Sequence, residues 1–228
     1  WSFDPGYYQS HYRFGWTAQT VAHQAVTIDA ASINSEQGSG HLISWFTSPD
    51  VQWAMADHPG AYRERGVTTY ERLIAQVGNL ETGDLGYWLD VSRVAGGKLR
   101  DDSFHTQMKD LKLDMQLPEP SKGSVFGPVD YGRIVQDDGR LDGYPEKGFY
   151  WYPDGFGYGF LGSPRMAQMS SNVRAVLTNP GYANKLNAVV VADLCASPGR
   201  QIIVANGPQT LNSPAVPYIL RRDSGDGL

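Results

Sequence analysis

Short segments that alternate apolar and polar residues, each closed by a turn signal, run the length of this chain and point to a sheet. Candidate strands fall at 22–29, 41–46 (HLISWF), 51–57 (VQWAMAD), 67–77, 85–94 (LGYWLDVSRV), 102–108, 148–152 (GFYWY), 156–161, 165–171, 186–194 (LNAVVVADL), 200–205 (RQIIVA) and 216–221 (VPYILR). Between them stand "SPD", "HPG", "AGG", "DDG", "PDG", "NPG", "SPG" and "NGP", Gly, Pro, Asn and Asp combinations that reverse a chain. Helical periodicity is scarce. Residues 67–78, "VTTYERLIAQVG", can be forced onto a helix, but β-branched and aromatic residues favour a strand with Val67, Thr69, Glu71, Leu73 and Ala75 on one side. The 228 residues suffice to bury a core, and 6 Trp, 13 Tyr and 8 Phe supply side chains that strands favour. The expectation is all-β: one large antiparallel β-sandwich domain over 1–228, with no repeat or clear linker. The Pro-, Gly- and Asp-rich stretch from Leu117 to Tyr144 reads as a long loop over one sheet face.

Charge and cysteine usage remove several function classes. The net charge is -5, from 24 acids against 19 bases, and no basic run accompanies the aromatics; this argues against nucleic-acid binding. No run approaches the roughly 20 apolar residues of a membrane-spanning helix. Cys195 is the one cysteine, so the chain holds no internal disulfide and no cysteine zinc cluster. In "VVVADLCASPG" it reads as a buried strand residue. The chain starts at Trp1, not Met, and both ends read as cuts from a longer protein. No G-x-S-x-G, P-loop or G-x-G-x-x-G is present. "GFGYG" (155–159) reads as an aromatic strand, and the neighbouring acids Asp101 and Asp102 as solvated turn residues.

The chemistry concentrates near the N-terminus. "FDPGYYQSHYRFGWTAQTVAHQ" holds Asp4, Tyr7, Tyr8, His11, Tyr12, Arg13, Trp16 and His23. Aromatic rings stack on sugar faces, and arginine pairs bidentately with a uronate carboxylate. An aspartate and a histidine also suit two positions of a tetrahedral zinc site, at about 2 Å from the ion. The plain alternative is a Tyr-rich edge loop packed on the sheet. His23 lies on the polar face of the predicted 22–29 strand. It is open to three roles: metal ligand, structural partner of Asp4, or catalytic group. His105, after "GGKLRDDSF", reads either as a groove residue or as a satisfied structural histidine. His58, in "DHPG", reads as a turn residue.

The order of segments resembles the C-terminal β-sandwich region of the heparinase II/III family of bacterial polysaccharide lyases. The segments that carry the likeness are "FDPGYY" (3–8), "AHQAVTID" (22–29), "AYRERGVTTYERLIAQV" (61–77), "YWLDVSRVAGGK" (87–98) followed by His105, and "VADLCASPGRQIIVANGPQTLNSPAVPYILRRDSG" near the end. Gln24 stands where the family has Asn, and Ala30 where it has Gly. The upstream H-x-H segment and helical toroid of the family are absent from this sequence.

The resemblance implies a super-sandwich fold, as one part of an α-toroid plus β-sandwich enzyme. It implies β-elimination on uronic-acid-containing polysaccharide, in a periplasmic or secreted bacterial setting. By carry-over, Asp4 and His23 are ligands of a structural zinc ion. Tyr12 and His105 are the catalytic candidates, and Tyr8, Arg13 and Trp16 the substrate-binding ones. The partners implied are an acidic polysaccharide and the toroid domain. The alternative from another class is a non-catalytic carbohydrate-binding or packing module.

Overall fold

The computed structural model describes residues 12–33, 38–78, 82–83, 86–131, 153–179, 188–209 and 214–225. Asp4, Tyr8, His11 and the 148–152 segment lie outside them. The described chain is built from antiparallel strands and short helical turns, the all-β class read from the sequence. It divides into two compact units, one formed by the segment up to Ser32 with Leu99–Ser224, the other by Ile33–Lys98 with the last residues.

The first unit is a sandwich with an added layer. Strands β1 (Val26–Ile28), β6 (Leu99–His105), β8 (Gly162–Gln168), β11 (Gln201–Pro208) and β12 (Ala215–Ser224) form a five-stranded sheet in the order β1-β6-β12-β11-β8. Strands β7 (Asp110–Leu113), β9 (Val173–Asn179) and β10 (Ala188–Leu194) form a three-stranded sheet in the order β10-β9-β7. Val173, Ala175, Leu177 and Leu194 from the small sheet pack with Ile202, Val204 and Ile219 from the large one. The other face of the large sheet, with Ile203, Ala205, Val216, Tyr218 and Leu220, carries Tyr12, Trp16, Val21, Phe156, Tyr158 and Phe160. Strand β11 is thus covered on both faces. Its unbroken apolar run "IIVA" fits that place, since an alternating strand would bury a polar side chain on one side.

The second unit is a four-stranded meander in the order β2-β3-β4-β5, made of β2 (His41–Thr47), β3 (Val51–Asp57), β4 (Thr69–Val77) and β5 (Tyr87–Ala95). Ser48 closes the first hairpin: its amide donates to the Val51 carbonyl at 2.8 Å and its hydroxyl accepts from the Val51 amide at 3.0 Å. The short turn at Arg63–Arg65 ends at Gly66. Gly96 (φ 99°) lies so close that an added Cβ would stand 2.3 Å from the Gly66 carbonyl oxygen, so only glycine fits this crossing.

Four expectations are corrected. Residues 22–29 do not form one strand. Thr20–Ala22 is a 3-10 turn, His23 is extended, and pairing begins only at Val26. Val21 and Ala22 are buried together in the core layer, and burying two adjacent residues on one side defeats strand alternation. The "GFGYG" segment forms a 3-10 turn, Phe156–Phe160. Gly157 and Gly159 let that turn approach the side chains of Gln19 and Tyr131, where added Cβ atoms would stand at 2.9 and 2.4 Å. Asp101 and Asp102 belong to β6 and not to a turn, and Asp101 is fully buried. Cys195 is exposed just past β10.

Candidate functional site

Trp16 and His105 meet at Tyr218 inside the core layer of the first unit, and Tyr12 packs nearby on Phe160. Trp16 lies in a π-helical turn, Arg13–Thr17, and is fully buried. Its indole stacks on Phe160 (centroids 5.4 Å apart, 24°) and meets Tyr218 edge-on at 5.4 Å. Its Nε1 donates to the Pro208 carbonyl at 3.1 Å. The ring of His105, at the end of β6, stacks on Tyr218 at 4.2 Å and 17°, also with no exposed surface. Register explains this contact: His105 stands directly opposite Tyr218 on β12. Tyr12 packs edge-on against Phe160 at 6.0 Å and is 3 % exposed. Burial this complete leaves the indole of Trp16 no open face for a sugar ring.

Arg13 and His23 sit nearer the surface. Both are half-buried. The Arg13 guanidinium lies 5.2 Å from the centre of the Phe14 ring, in cation-π range. His23 Nε2 stands 2.9 Å from the Thr17 carbonyl oxygen, so the tautomer protonated at Nε2 donates there. Of the two residues expected to hold zinc, His23 alone falls within the described part. Among the described residues no three His, Cys, Asp or Glu side chains converge on a point where an ion would sit.

The strongest electrostatic feature is one the sequence reading passed over. Asp101 receives a two-pronged guanidinium contact from Arg222, Nε to Oδ1 and Nη2 to Oδ2, both at 2.7 Å. Tyr158 donates its hydroxyl to Asp101 Oδ2 at 2.7 Å. Burial first, and then the Asp101 carboxylate beside it, push the Tyr158 phenol well above its usual range. Such a phenol stays protonated at neutral pH, so it acts as a fixed donor and not as a base. The network ties the Phe156–Phe160 turn to β6 and β12. The next cross-strand pairs continue it: Arg221 bonds Asp102, and Arg100 stands opposite Asp223. Asp223 in turn takes a fork from Arg200 at 2.8 and 2.6 Å and a bond from Ser197 at 3.2 Å. A signal for this was present in the sequence. Read antiparallel, "RDD" (100–102) and "RRD" (221–223) pair opposite charges at all three positions.

No family model matches the chain, and no curated protein matches it. Among solved structures the chain is similar to a heparan sulfate lyase HepC mutant from Pedobacter heparinus, at 11 % identity and a TM-score of 0.45. The likeness covers 97 % of this chain and 26 % of that one, so the chain spans about a quarter of that enzyme's length.

Proposed function

We infer that this chain is the β-sandwich portion of a polysaccharide lyase that cleaves uronic-acid-containing polymers by β-elimination. What supports the reading is the ordered series of segments that resembles the heparinase II/III family, from "AHQAVTID" to "ILRRDSG". Two of them, 61–77 and 87–98, supply the neighbouring strands β4 and β5, paired in register from Thr69–Ala95 to Val77–Tyr87.

In β-elimination the C5 proton, α to the uronate carboxylate, is removed and the 4-O glycosidic bond breaks. A base takes the proton, an acid serves the leaving oxygen, and positive charge stabilises the enolate-like carboxylate. Within this chain Arg13 is the half-buried cation among the foreseen residues, and it is suited to the carboxylate. Trp16 and His105, on the Tyr218 ring, and Tyr12, on Phe160, form the buried core beneath the segment that carries Arg13. In this reading proton transfer falls to groups other than the buried core, in a longer protein of which this chain is one part. In this reading Asp4 and His23 would hold a structural zinc ion, which would hold their segments together and take no part in a chemical step.

The decisive assay uses the longest natural polypeptide containing this sequence, incubated with heparan sulfate, alginate and ulvan. The expected product carries an unsaturated uronate end, read by ultraviolet absorbance. Saturated products, the mark of hydrolysis, or no cleavage of any uronate polymer would overturn the reading. Elemental analysis checks the metal component: stoichiometric zinc in the protein, absent from His23→Ala, is expected.

A further inference from the structure

Among the described residues the sheets of the first unit end in the edge strands β1, β8, β7 and β10, and all but the last are blunted. Strand β1 has three residues and β7 four, too short to take on a long partner. Lys112 of β7 is also exposed. Strand β8 carries Pro164, which lacks a backbone donor, and its register against β11 shifts between Val204 and Asn206. Strand β10 has none of these devices. Its seven residues pair with β9 without a register shift, from Ala188–Asn179 to Leu194–Val173. It holds no proline and no lysine. Its one charge, Asp193, is taken up by Arg174 of β9 at 2.7 and 3.0 Å. Among the described residues no strand pairs with its other edge. Such an edge presents a row of amides and carbonyls ready for another strand.

The side chains select which strand. Val190 and Ala192 pack against the core shared with β11 and β12, while Val189 and Val191 on the opposite face are 55 % and 56 % exposed. The sequence here is nearly a palindrome about Val190: LNAVVVADL, residues 186–194, reads alike in both directions except for Asn187 against Asp193. A palindromic strand is its own antiparallel complement. With a two-fold axis at Val190, that residue meets its own copy, Ala188 meets Ala192, and Val189 meets Val191. Directly opposite residues lie on one face, so core face continues into core face and the exposed valines of both copies close into one apolar cluster. Moving the axis by half a residue would set core-facing residues of one copy against exposed ones of the other. Moving it to Val191 would set each Asp193 against a valine. An unrelated strand supplies the backbone bonds alone; a second copy supplies the side-chain match as well.

We propose that β10 pairs antiparallel with β10 of a second copy of this chain, about a two-fold axis at Val190, joining the two small sheets into one. The contact is isologous, so it closes at two copies. It is small, of the class that gives weak dimers, and it does not depend on the lyase reading.

Sedimentation velocity of the longest natural polypeptide containing this sequence, from about 1 to 500 μM, tests it. A reversible equilibrium of monomer and dimer is expected. Val189→Lys with Val191→Lys sets lysine against lysine across the axis and should weaken the dimer about tenfold or more. Val189→Lys with Val191→Glu sets opposite charges across the same axis and should recover most of that loss. Both valines are exposed, so thermal melting of both variants at a dilute, monomeric concentration should match the parent. The proposal is overturned by a monomer at every concentration, by assembly that continues past the dimer, by a dimer that the double-lysine variant leaves unchanged, or by a loss that the lysine–glutamate variant does not recover.

Discussion

At the scale of single residues, the Asp101–Arg222–Tyr158 network is where this structure is most sensitive. A buried carboxylate that loses one partner is left with an unmet hydrogen bond in a dry site. Tyr158→Phe removes one donor and should destabilise the protein by about 1–3 kcal/mol in urea denaturation. Arg222→Ala strands the charge itself and should cost about 3–5 kcal/mol. The phenol also makes stability depend on alkaline pH. In the unfolded chain it ionises near its ordinary value of about 10, while in the folded protein burial holds it protonated to higher pH. Above about pH 10 the unfolded state therefore binds fewer protons, and stability falls as pH rises through the folded value. Denaturation from pH 8 to 11 should show the advantage of the parent over Tyr158→Phe shrinking above about pH 10.

At the scale of elements, complementary charges fix the register of β6 against β12. A slip by one residue would break the opposite-charge pairs at 100–102 and 221–223, and would exchange the core and outer faces of the strand. Asp102→Arg alone puts two guanidiniums opposite each other and should destabilise. Adding Arg221→Asp restores an opposite pair and should recover part of the loss, a coupling readable in a double-mutant cycle. The elements also show where strand reading works. VQWAMAD was expected at 51–57 and is observed there, because strict alternation matches a sheet with one open face. The 22–29 segment alternates nearly as well in sequence, yet pairs only at Val26–Ile28. Its first half turns inward to fill the layer under Trp16, and local periodicity carries no trace of that demand.

At the scale of the whole molecule, the two units differ in burial. Strands β11 and β12 contribute Ile202, Ile203, Ile219 and Leu220, all without exposed surface, whereas every residue of β2 is exposed. Opening free energies follow buried apolar contact, so amide hydrogen exchange should be slowest in β11 and β12 and fast along β2. Equal protection in the two would contradict this layout.

The sequence by itself determined the all-β class, most strand positions and the turns between them. Each of those depends on neighbours along the chain: alternation, β-branching, and Gly or Pro at reversals. Tertiary structure decided which face each strand shows and which side chains are enclosed. Trp16 and His105 read in the sequence as candidates for a binding groove, and the fold buries both, His105 opposite Tyr218 on β12 and Trp16 against Phe160 and Tyr218. Asp101 looks like a turn acid until β12 brings Arg222 across from it. Such partners lie 121 residues apart, so what they do to one another depends on the fold and not on any local pattern.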